Sequence, residues 1–147
     1  MAGSTVLCAI THQTDLFVIM LVCAVLNALL GKILKILIGK RRPENSKKQT
    51  YGMPSSHANC LSFFVAYLTM AATDILSLYD AVLVCVSSVV YTLCVCYYRA
   101  CVSRDHTALQ ILGGFVHGVL AGWVSYTVVL PWYSTHKEEL YTLVGGN

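Results

Sequence analysis

Four long stretches of the chain carry no charged side chain: residues 16–31, 49–73, 81–98 and 107–135, with His57 and His117 the histidines inside them. A helix needs roughly 20 mostly apolar residues to cross a bilayer, and each stretch supplies about that many. Helices of a soluble bundle would instead show a polar outer face every three or four residues. Residues 81–98 and 111–130 show none. The pattern therefore predicts membrane helices at about 14–39, 57–78, 80–99 and 106–131. The fold class expected is all-α, a multi-pass transmembrane bundle. A chain of 147 residues has room for one such domain, spanning 1–147, and no second core.

Local signals place the ends of these helices. Thr14 and Asp15 can cap the first, and Gly39 is placed to end it, with Lys32 and Lys35 favouring its C-terminal turns. Pro54 suits the first turn of the second helix, where Ser55 and Ser56 can help cap. Leu78-Tyr79-Asp80 reads as the turn into the third, and Pro131 as the end of the fourth, with Trp132 and Tyr133 as interface anchors. Four crossings bring the 40–56 and 100–105 loops to one side of the membrane and both termini to the other.

Composition sharpens this picture. Only 12% of residues are charged, against about a quarter in soluble domains. The net charge of +3 is modest, but Lys40, Arg41, Arg42, Lys47 and Lys48 crowd one loop. Without interleaved aromatics that loop does not read as a nucleic-acid surface; a cytoplasmic loop or contact with anionic headgroups suits it better. Seven cysteines, an odd number with no CxxC pair, indicate neither a disulfide framework nor a zinc site. The N-terminal residues have no basic segment or cleavage site, so the first helix is expected to act as its own targeting signal.

The polar residues that could carry chemistry gather on the loop side. Lys35 and Arg42, seven apart, could face the same way over two helical turns. Pro54-Ser55-Ser56-His57 opens a helix, whose free N–H groups make an anion site. Arg99, Arg104 and His106 lie between the third and fourth helices. Cations, a helix N-terminus and two histidines on one face suggest a phosphate site, in which one imidazole attacks phosphorus and another protonates the leaving oxygen.

Here the sequence resembles the lipid phosphate phosphatases of the phosphatidic-acid-phosphatase type 2 superfamily. Lys35 through Arg42-Pro43 matches the family's K-x6-RP, and Pro54-Ser55-Ser56-His57 is close to PSGH. The longer string Tyr51 to Phe64 looks most like the dolichyl-diphosphatase branch. The third motif departs. Counted from Ser103-Arg104, it would put Gln110 and Gly114 where the family has histidine and aspartate, leaving an inactive protein. Counted from Tyr97-Tyr98-Arg99, it reaches His106-Thr107-Ala108-Leu109-Gln110, similar to the branch's pattern with one residue more in the gap. The second count is favoured, with the extra residue in a loop.

The resemblance implies roles. His106 is expected to be the nucleophile, His57 the general acid, and Gln110, four residues on, an acceptor fixing the imidazole tautomer. Lys35, Arg42 and Arg99 are expected to bind phosphate with Ser55 and Ser56. No metal or other cofactor is implied, because the cations do that electrostatic work. Arg104 and Asp105 read as a local ion pair, and His117 as a polar residue bonded to a neighbouring helix. The implied reaction is hydrolysis of dolichyl diphosphate to the monophosphate and inorganic phosphate, through a phosphohistidine, on the lumenal side of the endoplasmic reticulum. Another lipid phosphate as substrate, or an inactive lipid-binding protein, are the alternatives. Lipids are the partners, and so short a chain could self-associate to cover its flank.

Overall fold

The computed structural model describes the backbone of residues 2–44, 46 and 48–143, and the side chains from residue 13 onward except Tyr141. Lys47 of the basic loop and the side chain of Cys8 lie outside the described residues. Within them, four helices are long and apolar enough to cross a membrane: Gln13–Ile38, Ser56–Ile75, Leu78–Val102 and Ala108–Leu140. Phe17, Leu21, Leu93 and Trp123 each leave more than half of their surface uncovered. Such an apolar exterior belongs in lipid. The chain is an all-α membrane bundle, as its charge-free stretches predict.

The helices are α1 (Ala2–Ile38), α2 (Ser56–Ile75), α3 (Leu78–Tyr97), α4 (Ala108–Val124) and α5 (Leu130–Leu143). Single π-helical turns at Tyr98–Val102 and Ser125–Val129 extend α3 and join α4 to α5. Several ends differ from expectation. α1 begins at Ala2, because nothing between Ser4 and Thr14 breaks a helix; Asp15 caps nothing and instead pairs with Lys137 at 2.9 Å. The turn after α2 falls at Leu76-Ser77, where the Ser77 hydroxyl accepts the Asp80 N–H and donates to its carboxylate. Pro131 does not end its helix. A helical proline presses on the carbonyl four residues back, here that of Thr127, which sits in the wider π turn. Gly39 ends α1 as predicted, with φ +60° and its N–H on the Lys35 carbonyl.

α2 lies at the centre. Its residues Phe63, Tyr67 and Ala71 pack with Leu16, Ile19 and Cys23 of α1 and with Leu130 of α5. Against α4 the contact is closer still. Gly114, Gly118 and Gly122 form a stripe at helical spacing, buried against Ser55, Asn59, Ser62 and Phe63. A Cβ at Gly118 would collide with the Asn59 carbonyl and the Ser62 hydroxyl. In lipid the drive for association is close packing and interhelical hydrogen bonding, so small residues at a helix crossing supply what hydrophobicity cannot. At the level of this seam His117 Nδ1 meets Asn59 Oδ1 at 2.7 Å, the bond to a neighbouring helix expected of it.

Candidate active site

The polar loops converge over the ends of α1 and α3 and the starts of α2 and α4. Lys35 and Arg42 do not share a helical face, since the chain leaves α1 at Gly39. The loop folds back instead. Gly52 N–H donates to the Lys40 carbonyl at 2.8 Å, and Arg42 Nε donates to the Thr50 carbonyl at 3.1 Å. This turns the Arg42 guanidinium inward, where Nη1 donates to the Asp105 carbonyl and meets His106 Nε2, both at 3.0 Å.

His106 is buried and held from both sides. Nδ1 lies 3.1 Å from the Gly52 carbonyl, which can only accept, so Nδ1 carries the proton. Nε2 then presents a lone pair to Arg42 and, at 3.4 Å, to Arg99 Nη2. Burial, followed by the Arg42 and Arg99 charges, holds its pKa down at about 4, outweighing the opposite pull of Gln110 and the Gly52 carbonyl. The imidazole is therefore neutral at physiological pH, with the basic nitrogen facing two cations.

The orienting role expected of Gln110 falls mainly to Gly52. His106 precedes α4 rather than sitting one turn before Gln110 inside it. The fully buried Gln110 amide closes a capping box with Thr107, its oxygen accepting the Thr107 N–H at 3.2 Å. Its nitrogen donates to the Arg41 carbonyl at 2.8 Å, fastening the basic loop to α4. Nothing in the sequence flags a backbone carbonyl 54 residues away as the partner of His106.

Asp105 is the other residue that sequence reasoning assigned differently. It does not pair with Arg104, which is exposed and adopts φ +49°. Its buried carboxylate takes Arg99 Nη1 at 3.0 Å, Lys48 Nζ at 3.5 Å and the Ser46 hydroxyl at 3.1 Å. Burial alone would raise its pKa; the Ser46 bond and the Arg99 and Lys48 charges outweigh that and hold it below the ordinary carboxylate value. Arg99 itself lies in the π turn Tyr98–Val102, from which a short non-helical segment leads to His106.

The start of α2 completes the site. Ser55 is the N-cap residue, but its buried hydroxyl makes no capping bond and has no partner among the described residues. Its N–H donates to the Gln110 carbonyl at 3.0 Å. Ser56 opens the helix and accepts from Lys35 Nζ at 2.8 Å. His57 follows on an exposed position, within electrostatic reach of Arg99, Lys48, Lys35 and Arg42. Beside these groups a cavity of about 920 Å³ is lined by Lys32, Lys35, Arg41, Arg42 and Lys48, with Glu44. All the residues expected at the site thus converge on one end of the bundle. The cations of this cavity suit an anionic group, and Lys35 and Arg42 link it to Ser56 and to the buried His106.

Comparison with known proteins identifies the family. The family model described as the PAP2 superfamily matches residues 16–134. Over 113 residues the chain is 29% identical to lipid phosphate phosphatase epsilon 1, chloroplastic, of Arabidopsis thaliana. That match covers 76% of this chain and 39% of the relative, so the chain spans about two-fifths of the relative's length. No solved structure matches it. The chain belongs to the PAP2 superfamily.

Proposed function

From membership of that superfamily and the state of His106, we propose that the chain is a lipid phosphatase whose substrate is a polyisoprenoid diphosphate such as dolichyl diphosphate. The observation that carries the reading is the neutral, Nδ1-protonated His106 with its Nε2 lone pair turned toward two guanidiniums. An arriving phosphate offers Arg42 and Arg99 charged oxygens, better acceptors than a ring nitrogen, and so frees the lone pair. Nε2 attacks phosphorus, the bond to the leaving oxygen breaks, and His57 delivers that oxygen a proton. Water then attacks the phosphohistidine and gives a proton to His57, releasing inorganic phosphate and restoring both imidazoles. Lys35, Arg42, Arg99, Ser55, Ser56 and the N–H groups at the start of α2 hold the phosphoryl oxygens.

The diphosphate is favoured by the surplus of cations: Lys32, Arg41 and Lys48 line the cavity beyond the three that one phosphate requires. The Arabidopsis relative, a lipid phosphate phosphatase by name, makes phosphatidate the second candidate. An inactive protein would have no need to keep an imidazole in the nucleophilic tautomer. From the likeness of Tyr51 to Phe64 to the dolichyl-diphosphatase branch, we assign the protein to the endoplasmic reticulum membrane, its site facing the lumen, where it would serve N-glycosylation by recycling the carrier lipid.

The test is phosphate release by purified protein in detergent with EDTA present, from dolichyl diphosphate and phosphatidate in parallel. Release from the diphosphate should exceed release from phosphatidate, and His106→Ala should abolish both. Preference for phosphatidate would transfer the substrate assignment, and full activity of the His106 variant would end the mechanism.

A further inference from the structure

We infer that Asp105 is a positioning residue for the phosphate site, acting through Arg99. This rests on the reading that Arg99 and His106 serve phosphoryl transfer, and it adds a residue to that machinery.

Arg99 reaches the site from the end of α3, a helix whose span is only 11% buried. The Arg99 side chain is nevertheless largely covered, 12% exposed, at that end of the helix. Within that cover Asp105 fixes where the guanidinium points. Its side chain is nearly sealed, and Oδ2 holds Arg99 Nη1 at 3.0 Å while Arg99 Nη2 faces His106 Nε2. The same residue's main chain closes the arrangement: its N–H donates to the Arg99 carbonyl at 3.2 Å, and its carbonyl receives Arg42 Nη1. Both guanidiniums that meet the nucleophile are thus anchored on the residue that precedes it. The carboxylate also draws in Lys48 and Ser46 from the basic loop.

Arg99 Nε is buried and lacks a partner among the described residues, so this guanidinium is held at its tip while one donor stays unused. Held this way, Arg99 meets the transition state already in place, which is where most electrostatic catalysis originates. Asp105 touches no reacting atom; its effect passes through the guanidinium it aims.

Asp105→Glu isolates aim from charge, because it keeps the carboxylate and moves it by one methylene. Orthovanadate binding, a phosphoryl mimic readable without turnover, and phosphate release would be measured on the full chain in detergent. Asp105→Glu should weaken vanadate binding and lower kcat by about tenfold or more each, with KM changed less, since small misplacements of a positioning group are costly. Should that variant fail to fold, Asp105→Asn keeps the shape and should lower kcat by a similar factor. The decisive comparison is with Arg99→Lys. In that background Asp105→Glu should cost no more than about twofold, because groups acting as a unit are not additive. Wild-type behaviour of both Asp105 variants, or a full additive loss in the Arg99→Lys background, would overturn the inference while leaving the phosphatase reading intact. A wild-type protein that neither binds vanadate nor releases phosphate would defeat both.

Discussion

Helices α3 and α4 both cross the bilayer beside α2, yet they are held to it by different means. α4 brings a stripe of glycines into backbone contact with α2, adds the His117–Asn59 bond at the first turn of α2, and joins Ser55 to Gln110 at the mouth. α3 buries only Ala81 and Thr92. The hydroxyls of Ser87, Ser88 and Thr92 turn back onto carbonyls of their own helix. Its firm attachments are at the ends, where Ser77 and Asp80 shape the turn and Arg99 is caught by Asp105 and His106. α4 is fixed by close backbone packing, whereas α3 rests on α2 with few buried side chains and is tied to the site through Arg99. His106 therefore adjoins the rigid seam, while Arg99 is held by the local ion-pair network.

The largest effect expected is on the seam. Gly118→Leu puts a side chain where a carbonyl and a hydroxyl already sit, and should cost about 3 kcal/mol or more, seen as loss of folded monomer in detergent. A comparable substitution at lipid-facing Val90 of α3 would leave the yield of folded protein unchanged if the contrast holds.

Gln110→Ala comes next, because Gln110 stands where seam and site meet. It should strip a partner from the Arg41 carbonyl and from the Thr107 N–H, costing roughly 2 kcal/mol in stability. Activity should fall with it as the basic loop comes loose. Unchanged thermal stability and turnover would show that the loop is held elsewhere.

The pH profile examines the point where α3 meets α4. In the proposed reaction His106 attacks as the neutral imidazole, and its pKa is held at about 4, so kcat/KM should stay high down to about that pH. Arg99→Gln removes one of the charges lowering it and should move the acid limb upward, with less total activity. A limb already at the ordinary histidine pKa of about 6.5 in the parent would mean that the guanidiniums do not act on the ring. The same shift has a stability counterpart. Between about pH 6.5 and 4 the unfolded chain binds a proton that native His106 refuses, so stability should fall as pH falls through that window.

The smallest effect belongs to the outer face of α3. Leu93→Ala should change stability by less than about 1 kcal/mol, because that side chain meets lipid whether or not the bundle is assembled. A large loss would indicate that the face is covered by a partner.

Most of the fold was legible in the chain because membrane crossing is a matter of length and charge, both local properties. Gly39 could be placed because only a glycine readily takes the backbone conformation that ends α1 there. The convergence of Lys35, Arg42, His57, Arg99 and His106 followed once the loops were assigned to one side. What stayed hidden depends on distance along the chain. Gly52 meets His106 through a carbonyl that every residue has, and Asp105 adjoins Arg104 in sequence while its carboxylate turns to Arg99. Pro131 misled because the signal for a helix stop is local, whereas the π turn that relieves it lies upstream.

The His117–Asn59 bond bears on how the protein is made. A helix released alone into hydrocarbon with a bare imidazole along it has nothing to satisfy Nδ1, whereas α2 already in place offers the Asn59 amide oxygen in its first turn. During synthesis α2 emerges first. α4 would then enter the bilayer most readily by sliding against it, so the order of the two helices along the chain is also a workable order of insertion.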